Sequence, residues 1–578
     1  MKYSSEVMVM QQRNSTKSIV RCFLISVLLC LNLSTASAKD VTQEFSAEDI
    51  GTLETRDVIV NMKNLQFKGQ IGYLTVPQVR SKQDGKNIKI AFLHIYTNNQ
   101  SSLSTSSVPI FRFHGGPDNE AQLAEKLPFD FMQTVNFSKP SNAPIEITYD
   151  IEYLYYSRYL EFADLVLMDG RGMGLSAPRL TCPRAPEPVD LMQEQQETRR
   201  RLTKILKECR AHFEGMGVDF AGYNLLEVAD DIEDLRKTLG FKKIALHGAS
   251  FGTQTALAYL QRYDAFVTSA LLVGIEGLDA TYDLPSEIQT ATDQAIKLAN
   301  ANPGVAAMMP KGDMKYAITK IYAELEKHPR KYRIHPENSP PIDINFNAHS
   351  ARLMLVSNGL VQNRGDAPFA RSAGTARIPP LVLAMYHKSY KGIAAIVEKN
   401  YDGFRDMVVL NAAANVIDCA SGISPDRLAR IRKDTENPDD VMLGALAYVG
   451  LQDRNPGPLC HNWGVADLGD DFRAPFKTDV PLLIVNGEFD GVTPMGNAER
   501  LHEMMPNSRL VIVENSGHYS TEIYHFDEEF HKVSADFLRT GQFPERLQNR
   551  VVLPPIKYDT LPWGVVMLFK LKLGNWLM

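Results

Sequence analysis

Hydrophobic and polar positions change their rhythm twice along the chain. Up to residue 277 short apolar runs alternate with helical ones. Residues 88–95 (IKIAFLHI) and 109–113 (PIFRF) predict strands, and 164–168 (DLVLM) a short strand ended by glycine-rich sequence. Leu225, Ala229, Ile232, Leu235 and Leu239 recur at helical spacing, with Asp230, Asp231 and Glu233 on other faces. A strand follows at 243–247 (KIALH), then a helix over 253–262 and another apolar run at 267–273. Strand–helix–strand alternation of this kind predicts an α/β fold, a mostly parallel sheet with helices on both faces.

From 279 to 475 the period becomes helical. Helices are expected at 287–301, 314–327, 351–358 and 380–400, separated by breaks such as Asn338-Ser339-Pro340-Pro341. Strand patterns return at 481–485 (PLLIV) and 509–513 (RLVIV). The simplest organisation is one α/β domain in two parts, 39–278 and 476–550. A helical cap inserted at 279–475 interrupts it, and a tail covers 551–578. No internal repeat is visible.

The two ends of the chain read differently from the body. Lys2, Arg13, Lys17 and Arg21 form a basic head before a 12-residue apolar run, 22–33, and Ala36 and Ala38 follow at A-x-A spacing. This predicts a secretory signal peptide over 1–38, cleaved after Ala38, and a secreted or periplasmic protein. A membrane anchor is the rival, but a span needs about 20 apolar residues. Residues 564–578 are apolar with Lys570 and Lys572, too short and too charged to span. They are expected to pack on the body, with membrane-surface contact as the alternative.

Composition then narrows the classes. Of the 578 residues 44% are hydrophobic and 22% charged, which excludes a disordered or fibrous chain. Removing the leader takes away four basic and one acidic residue, so the net charge moves from −6 to −9. With no long basic block, nothing points to nucleic acid. Export leaves four of six cysteines: Cys182, Cys209, Cys419 and Cys460. An even count in an oxidising compartment suggests two disulfides. Three connectivities are possible. The pairs closest in sequence are Cys182–Cys209 and Cys419–Cys460, with four buried free thiols as the rival. There is no C-x-x-C and no H-E-x-x-H, so no metal is expected.

The candidate chemistry lies at strand ends. Gly248-Ala249-Ser250-Phe251-Gly252 is a G-x-S-x-G sequence between a strand and a helix, the pattern of a nucleophile elbow. A serine hydroxyl needs a base. Asp490, after the strand PLLIV in Asn486-Gly487-Glu488-Phe489-Asp490, and His518, in Ser516-Gly517-His518 after RLVIV, follow in the order serine, acid, histidine. Glu488 is the rival acid, and His525 and His531 are poorer candidates for the base. His114-Gly115-Gly116-Pro117 follows a strand and exposes backbone N–H groups. With the N–H of Phe251, those of Gly115 and Gly116 are candidates for an oxyanion hole; a plain glycine-rich turn is the rival. Residues 169–176 (DGRGMGLS) are G-x-G-x-G rather than G-x-G-x-x-G, and Pro178 follows. That argues against a dinucleotide site and for a tight loop tied down by Asp169 and Arg171.

Taken together, HGGP (114–117), DGRGMGLS, GASFG, GEFDGVTP (487–494) and SGH resemble the prolyl-aminopeptidase and tripeptidyl-aminopeptidase family of α/β-hydrolases. The resemblance covers about residues 55–550. It implies an α/β-hydrolase fold with a helical cap, a serine exopeptidase activity and no cofactor. It also implies Ser250 as nucleophile, Asp490 as acid, His518 as base, and Gly116 and Phe251 as oxyanion donors. The four cysteines fall where secreted tripeptidyl-type members tend to have them. Asp118, where prolyl aminopeptidases usually carry glycine, and a GASFG without a further glycine argue against strict N-terminal proline specificity. An esterase or other small-molecule hydrolase with the same triad is the alternative, and a non-catalytic binding protein a third. An exopeptidase must also hold a free amine, and Glu276, just past the run 267–273, is the candidate carboxylate, with Asp279 and Asp283 nearby. The rival role for Glu276 is to pair within the junction between domain and cap. The expected partner is a peptide or small-molecule substrate, with no stable membrane insertion after leader cleavage.

Overall fold

The apolar runs come together in one large sheet. A computed structural model describes residues 49–560 except 83–84, 98–107, 117–122, 124–143, 150–154, 183–194, 362, 367–373, 408–411, 436–457, 519–522 and 524–526. The leader, Pro117, Asp118 and the apolar C-terminal stretch therefore lie outside the described residues. In chain order the strands are β1 (Leu53–Met62), β2 (Leu65–Pro77), β3 (Asn87–Ile95), β4 (Ile110–Phe113), β5 (Ile145–Tyr149), β6 (Leu165–Met168), β7 (Ile244–Ser250), β8 (Val267–Ile275), β9 (Arg330–Ile334), β10 (Ile342–Phe346), β11 (Leu482–Gly487), β12 (Ser508–Glu514) and β13 (Arg550–Val552). Among the described residues the main sheet has eleven strands in the order 13-12-11-8-7-4-6-3-2-1-5. Neighbours from β13 to β6 run parallel, and β6, β3, β2 and β1 pair antiparallel.

The central strands read as unbroken apolar runs because both faces are covered. Every residue of β11 is buried. Leu482 and Ile484 enter one core with Leu246 and Leu272, while Leu483 and Val485 enter the opposite core with Leu271 and Phe537. The covering helices include α1 (Gln195–Met216), α2 (Leu225–Thr238) and α3 (Phe251–Tyr263). Asn224 caps α2, accepting from the N–H groups of Leu226 and Glu227 at 3.0 Å each.

β8 and β11 are adjacent in the sheet but separated by about 200 residues of chain. That insertion carries α4 (Pro285–Ala301), α5 (Met314–Lys327), α6 (Gly374–Tyr386), α7 (Tyr390–Met407), α8 (Ala412–Ser421), α9 (Pro425–Thr435) and α10 (Pro458–Trp463). After it come α11 (Met495–Met504) and α12 (Glu528–Thr540). The insertion has its own core, including Ile318, Ile321, Ile344, Phe346 and Val382, and Phe489 from the loop after β11 joins it. Among the described residues, sheet and insertion belong to one compact unit.

Three local expectations need correcting. The proline-rich break at 338–341 does not separate two helices: it lies in the turn of an antiparallel hairpin, β9 and β10, within the mostly helical insertion. Lysine and arginine within Arg330–Ile334 masked the alternation there. The helix expected over 380–400 is two helices, because the chain turns after Tyr386 and Lys388 takes a left-handed φ of 58°. The helix expected at 351–358 is the end of a short α-helix followed by a wider π-helical stretch, Leu353–Leu360.

Two further ties fix the frame. The structure joins Cys182 to Cys209 and Cys419 to Cys460, with Cα separations of 5.2 and 5.3 Å. Loops of 27 and 41 residues are worth about 3.5–4 kcal/mol each in the chain-entropy model. In the glycine-rich loop after β6, the fully buried Arg171 holds Asp231 of α2 with two bonds, at 2.8 and 2.7 Å, and donates to the Gln78 carbonyl at 2.7 Å. Asp169 accepts from the Leu175 and Leu123 N–H groups.

Candidate active site

The strand β7 ends in a turn of unusual backbone. Ser250 has φ 53° and ψ −128°, outside the ordinary basins for a side-chain-bearing residue, a conformation that costs about 1–3 kcal/mol. The flanking glycines explain how the turn fits. A Cβ on Gly248 would stand 2.5 Å from the Gly252 carbonyl oxygen. A Cβ on Gly252 would stand 2.3 Å from the Phe113 oxygen and 2.5 Å from the His114 oxygen. The turn is therefore wedged against the end of β4. Thr253 Oγ1 donates to the Ser250 carbonyl at 2.6 Å and accepts from the Glu276 N–H at 2.8 Å, tying the turn to the end of β8.

β4 leads into His114, Gly115 and Gly116. A Cβ on Gly115 would lie 2.9 Å from Ser250 Cβ and 3.5 Å from its Oγ, so this backbone runs directly against the serine side chain. Gly116 takes φ 126°, a conformation open to glycine. Phe251 opens α3, so its N–H belongs to a free helix N-terminus. Burial and the neighbouring Arg112 guanidinium push the His114 imidazole down to about 3, leaving it neutral.

The acid and the histidine come from the loops after β11 and β12. Asp490 is 1% exposed. Its Oδ1 accepts from the Val492 and Thr493 N–H groups at 2.9 and 2.8 Å. Its Oδ2 accepts from Thr493 Oγ1 at 2.8 Å and faces His518 Nδ1 at 3.1 Å. Thr493 Oγ1 is itself 3.0 Å from that nitrogen. His518 approaches the end of β8: a Cβ on Gly274, next to the Ile275 that pairs with Ser250, would lie 3.6 Å from its Cε1 and Nδ1. Burial works against charge on the imidazole. Asp490, by charge and hydrogen bond, and Asp283, by charge, outweigh it and raise the pKa above 6.5. A histidine whose Nδ1 faces a buried carboxylate can take a proton from a hydroxyl through its other ring nitrogen.

Comparison with known proteins matches the same two stretches. Residues 156–310, which carry the serine turn, match the alpha/beta hydrolase fold family, and residues 450–550, which carry Asp490 and His518, match the TAP-like protein family. A tripeptidyl aminopeptidase of Streptomyces coelicolor is 23% identical over 472 residues, 78% of each chain. The chain is a serine-type hydrolase, similar to TAP-like proteins of the α/β-hydrolase fold. Shorter similarities occur to the serine protease Hip1 of Mycobacterium tuberculosis, 30% identical over 24% of this chain and 28% of that one. A non-heme haloperoxidase of Rhodococcus erythropolis is 27% identical over 27% of this chain and spans 55% of its own length.

The remaining sequence candidates lie along the chain near the two ends of the insertion. Glu276 is half-buried, one residue past β8. Asp279 accepts from the Ser424 N–H and hydroxyl at 2.8 and 2.5 Å, anchoring the start of α9. Asp283 is pushed up to about 7 by burial, with the charges of Asp490 and Glu287 adding to it; Arg427 and a hydrogen bond from Asn497 oppose the rise. Glu488 does not reach the histidine. Its Oε1 accepts from Gln294 Nε2 of α4 at 2.7 Å and its Oε2 from the Asn515 N–H at 3.1 Å.

Sequence reasoning passed over Thr493 and Asn486. Asn486 is fully buried, accepts from the Ile275 N–H at 2.9 Å and donates to the Thr493 carbonyl at 3.0 Å. For Thr493 the local signal was available: an aspartate followed three residues later by a hydroxyl is a common self-hydrogen-bonded turn. For Asn486 there was none, since its partners lie on another strand. Among the described residues no cluster of three His, Cys, Asp or Glu side chains is placed to hold a metal ion, and no helix is long and apolar enough to cross a membrane.

Proposed function

We propose that this TAP-like hydrolase is an exported aminopeptidase that releases N-terminal residues or short peptides through Ser250, His518 and Asp490. The observation that carries the reading is the Asp490–His518 contact, made from two strand-end loops beside the Ser250 turn. The similarity to a tripeptidyl aminopeptidase across 78% of both chains supports the peptidase reading. The leader-like pattern of residues 1–38 and the two disulfides support export.

In this mechanism Ser250 Oγ attacks the scissile carbonyl carbon while His518 Nε2 takes the hydroxyl proton. The carbonyl π electrons move to oxygen, and the N–H groups of Gly115, Gly116 and Phe251 receive the oxyanion. Asp490 holds the Nδ1–H and stabilises the imidazolium. Collapse of the tetrahedral intermediate breaks the C–N bond, and the imidazolium proton goes to the leaving amine. Water, deprotonated by the same histidine, then releases the acyl group. Glu276 is the proposed acceptor of the substrate's free amine, with a charge-assisted hydrogen bond fixing the distance to the scissile bond.

Steady-state kinetics on free and N-acetylated aminoacyl and tripeptidyl chromogenic amides, with simple esters alongside, tests this. Free amines should be preferred by about 10–100-fold, the worth of one hydrogen bond to a charged group. Ser250→Ala should abolish turnover, and Glu276→Gln should erase the preference while sparing esters. Equal cleavage of acetylated and free peptides would remove the aminopeptidase reading. Turnover of esters alone would favour a small-molecule hydrolase.

A further inference from the structure

Three residues before His518, the chain passes through Asn515 in a left-handed conformation, φ 59°. Asparagine tolerates this region better than most residues, but the conformation still needs outside support. Three polar groups of Asn515 are taken by different parts of the molecule. Its N–H donates to Glu488 in the loop that carries Asp490, at 3.1 Å. Its side-chain amide donates to the Leu553 carbonyl beyond β13, at 2.8 Å. Its carbonyl accepts from Arg364 of the insertion, at 3.0 Å.

The two charged partners reach further. Glu488 spends its second oxygen on Gln294 of α4, so one carboxylate spans the insertion and the histidine loop. The Arg364 side chain is 1% exposed, is paired with Asp366 at 3.0 Å, and donates to the Pro554 carbonyl at 2.7 Å. Phe489, between Glu488 and Asp490, is buried in the insertion's core. The Gly491 N–H donates to the Val361 carbonyl of the insertion at 3.1 Å.

We propose that Glu488 and Arg364 are positioning residues, a clamp through which the inserted region sets the placement of the His518 loop against Asp490. The proposal rests on the reading of His518 as the base. A displacement of about 1 Å in such a group can cost about 100-fold in rate. The clamp works through hydrogen bonds at fixed distances, so a residue of the same shape should replace Glu488. Glutamine can accept from Asn515 through its oxygen and donate to a reoriented Gln294 through its amide.

The test is steady-state kinetics and the rate of Ser250 labelling by a fluorophosphonate, which reports activation of the serine without peptide binding. Glu488→Ala is expected to lower kcat and the labelling rate together by about 30–100-fold, with KM within about threefold. Glu488→Gln should recover both to within a few-fold of the unmodified protein. Gln294→Ala, which removes only the link to the insertion, should give a smaller loss of the same kind, and it remains readable if Glu488→Ala fails to fold. Loss in KM or thermal midpoint alone, with kcat and labelling intact, would overturn the clamp. So would Glu488→Gln as impaired as Glu488→Ala, since charge rather than geometry would then be at work. His518→Ala run in parallel separates the two readings: if it keeps full activity, the triad reading falls. If it is inactive while Glu488→Ala and Gln294→Ala are unimpaired, only the clamp falls.

Discussion

The turn that carries Ser250 and the loops that carry Asp490 and His518 meet at one site but are held by different forces. The serine turn is held largely by contact, with two hydrogen bonds of Thr253 added. Its glycines press on the backbone of β4, and its partners, Phe113, His114 and Glu276, all belong to the sheet domain or its last strand end. The acid and histidine loops are held by hydrogen bonds, and several of those come from the insertion, through Gln294, Val361 and Arg364. Steric wedging is all or nothing, whereas a hydrogen-bonded loop can shift by fractions of an ångström and be retuned by what packs on it. The inserted region is thus part of how the site is built.

The sharpest way to break the comparison is at Gly252. A Cβ there meets backbone atoms at 2.3, 2.5 and 2.6 Å, none of which can swing aside. Gly252→Ala should destabilise the protein by about 3 kcal/mol or more, read as a large drop in denaturation midpoint, and should abolish activity. Normal stability and turnover in that variant would mean that the serine turn is far softer than its contacts imply.

A middle-sized effect is expected at Thr493, on the hydrogen-bonded side. Thr493→Val keeps the shape and removes the hydroxyl that donates to Asp490 Oδ2 and touches His518 Nδ1. A hydrogen bond to a charged group is worth about 1.5–3 kcal/mol, so kcat should fall about 10- to 100-fold. The fold should survive, because Asp490 keeps the two backbone N–H groups on Oδ1. An unchanged kcat would place the hydroxyl outside the machinery.

The same contrast explains which parts were legible in the sequence. G-x-S-x-G is readable because the glycines that let the turn press against the end of β4 stand within five residues, between a strand and a helix. Asp490 and His518 were reachable by chain order and by their place after apolar strands. The α/β architecture was legible for the central strands, whose runs are buried on both faces. The antiparallel strand β1 and the hairpin strand β9 were not, since charged residues interrupt their alternation. Least legible was the support of the histidine loop. Arg364 is 151 residues from Asn515 in the chain, and nothing local marks either residue as the other's partner. Glu488 read as a rival acid because proximity in sequence to Asp490 carries no information about where its carboxylate points.

The smallest expected effect concerns charge. The carboxylates of Asp490 and Asp283 hold the His518 pKa above 6.5 against burial. In the proposed mechanism the imidazole must be neutral, so kcat/KM should rise with pH along an acid limb centred above 6.5. For stability the sign is opposite. A histidine raised in the folded state contributes stability that is fully present below its unfolded value and lost as pH climbs through the folded one. Asp283, pushed up to about 7 by burial, with Glu287 and Asp490 adding and Arg427 and Asn497 opposing, holds a proton that the unfolded chain gives up near 3.8. Stability should therefore decline as pH rises from about 3.8 toward 7 on account of this group. Asp283→Asn removes both effects together. Its acid limb should move to lower pH than that of the unmodified enzyme, and its thermal midpoint at pH 8 should rise relative to the unmodified enzyme at the same pH. A limb that stays in place would mean that Asp283 does not act on His518, leaving Asp490 as the carboxylate that raises it.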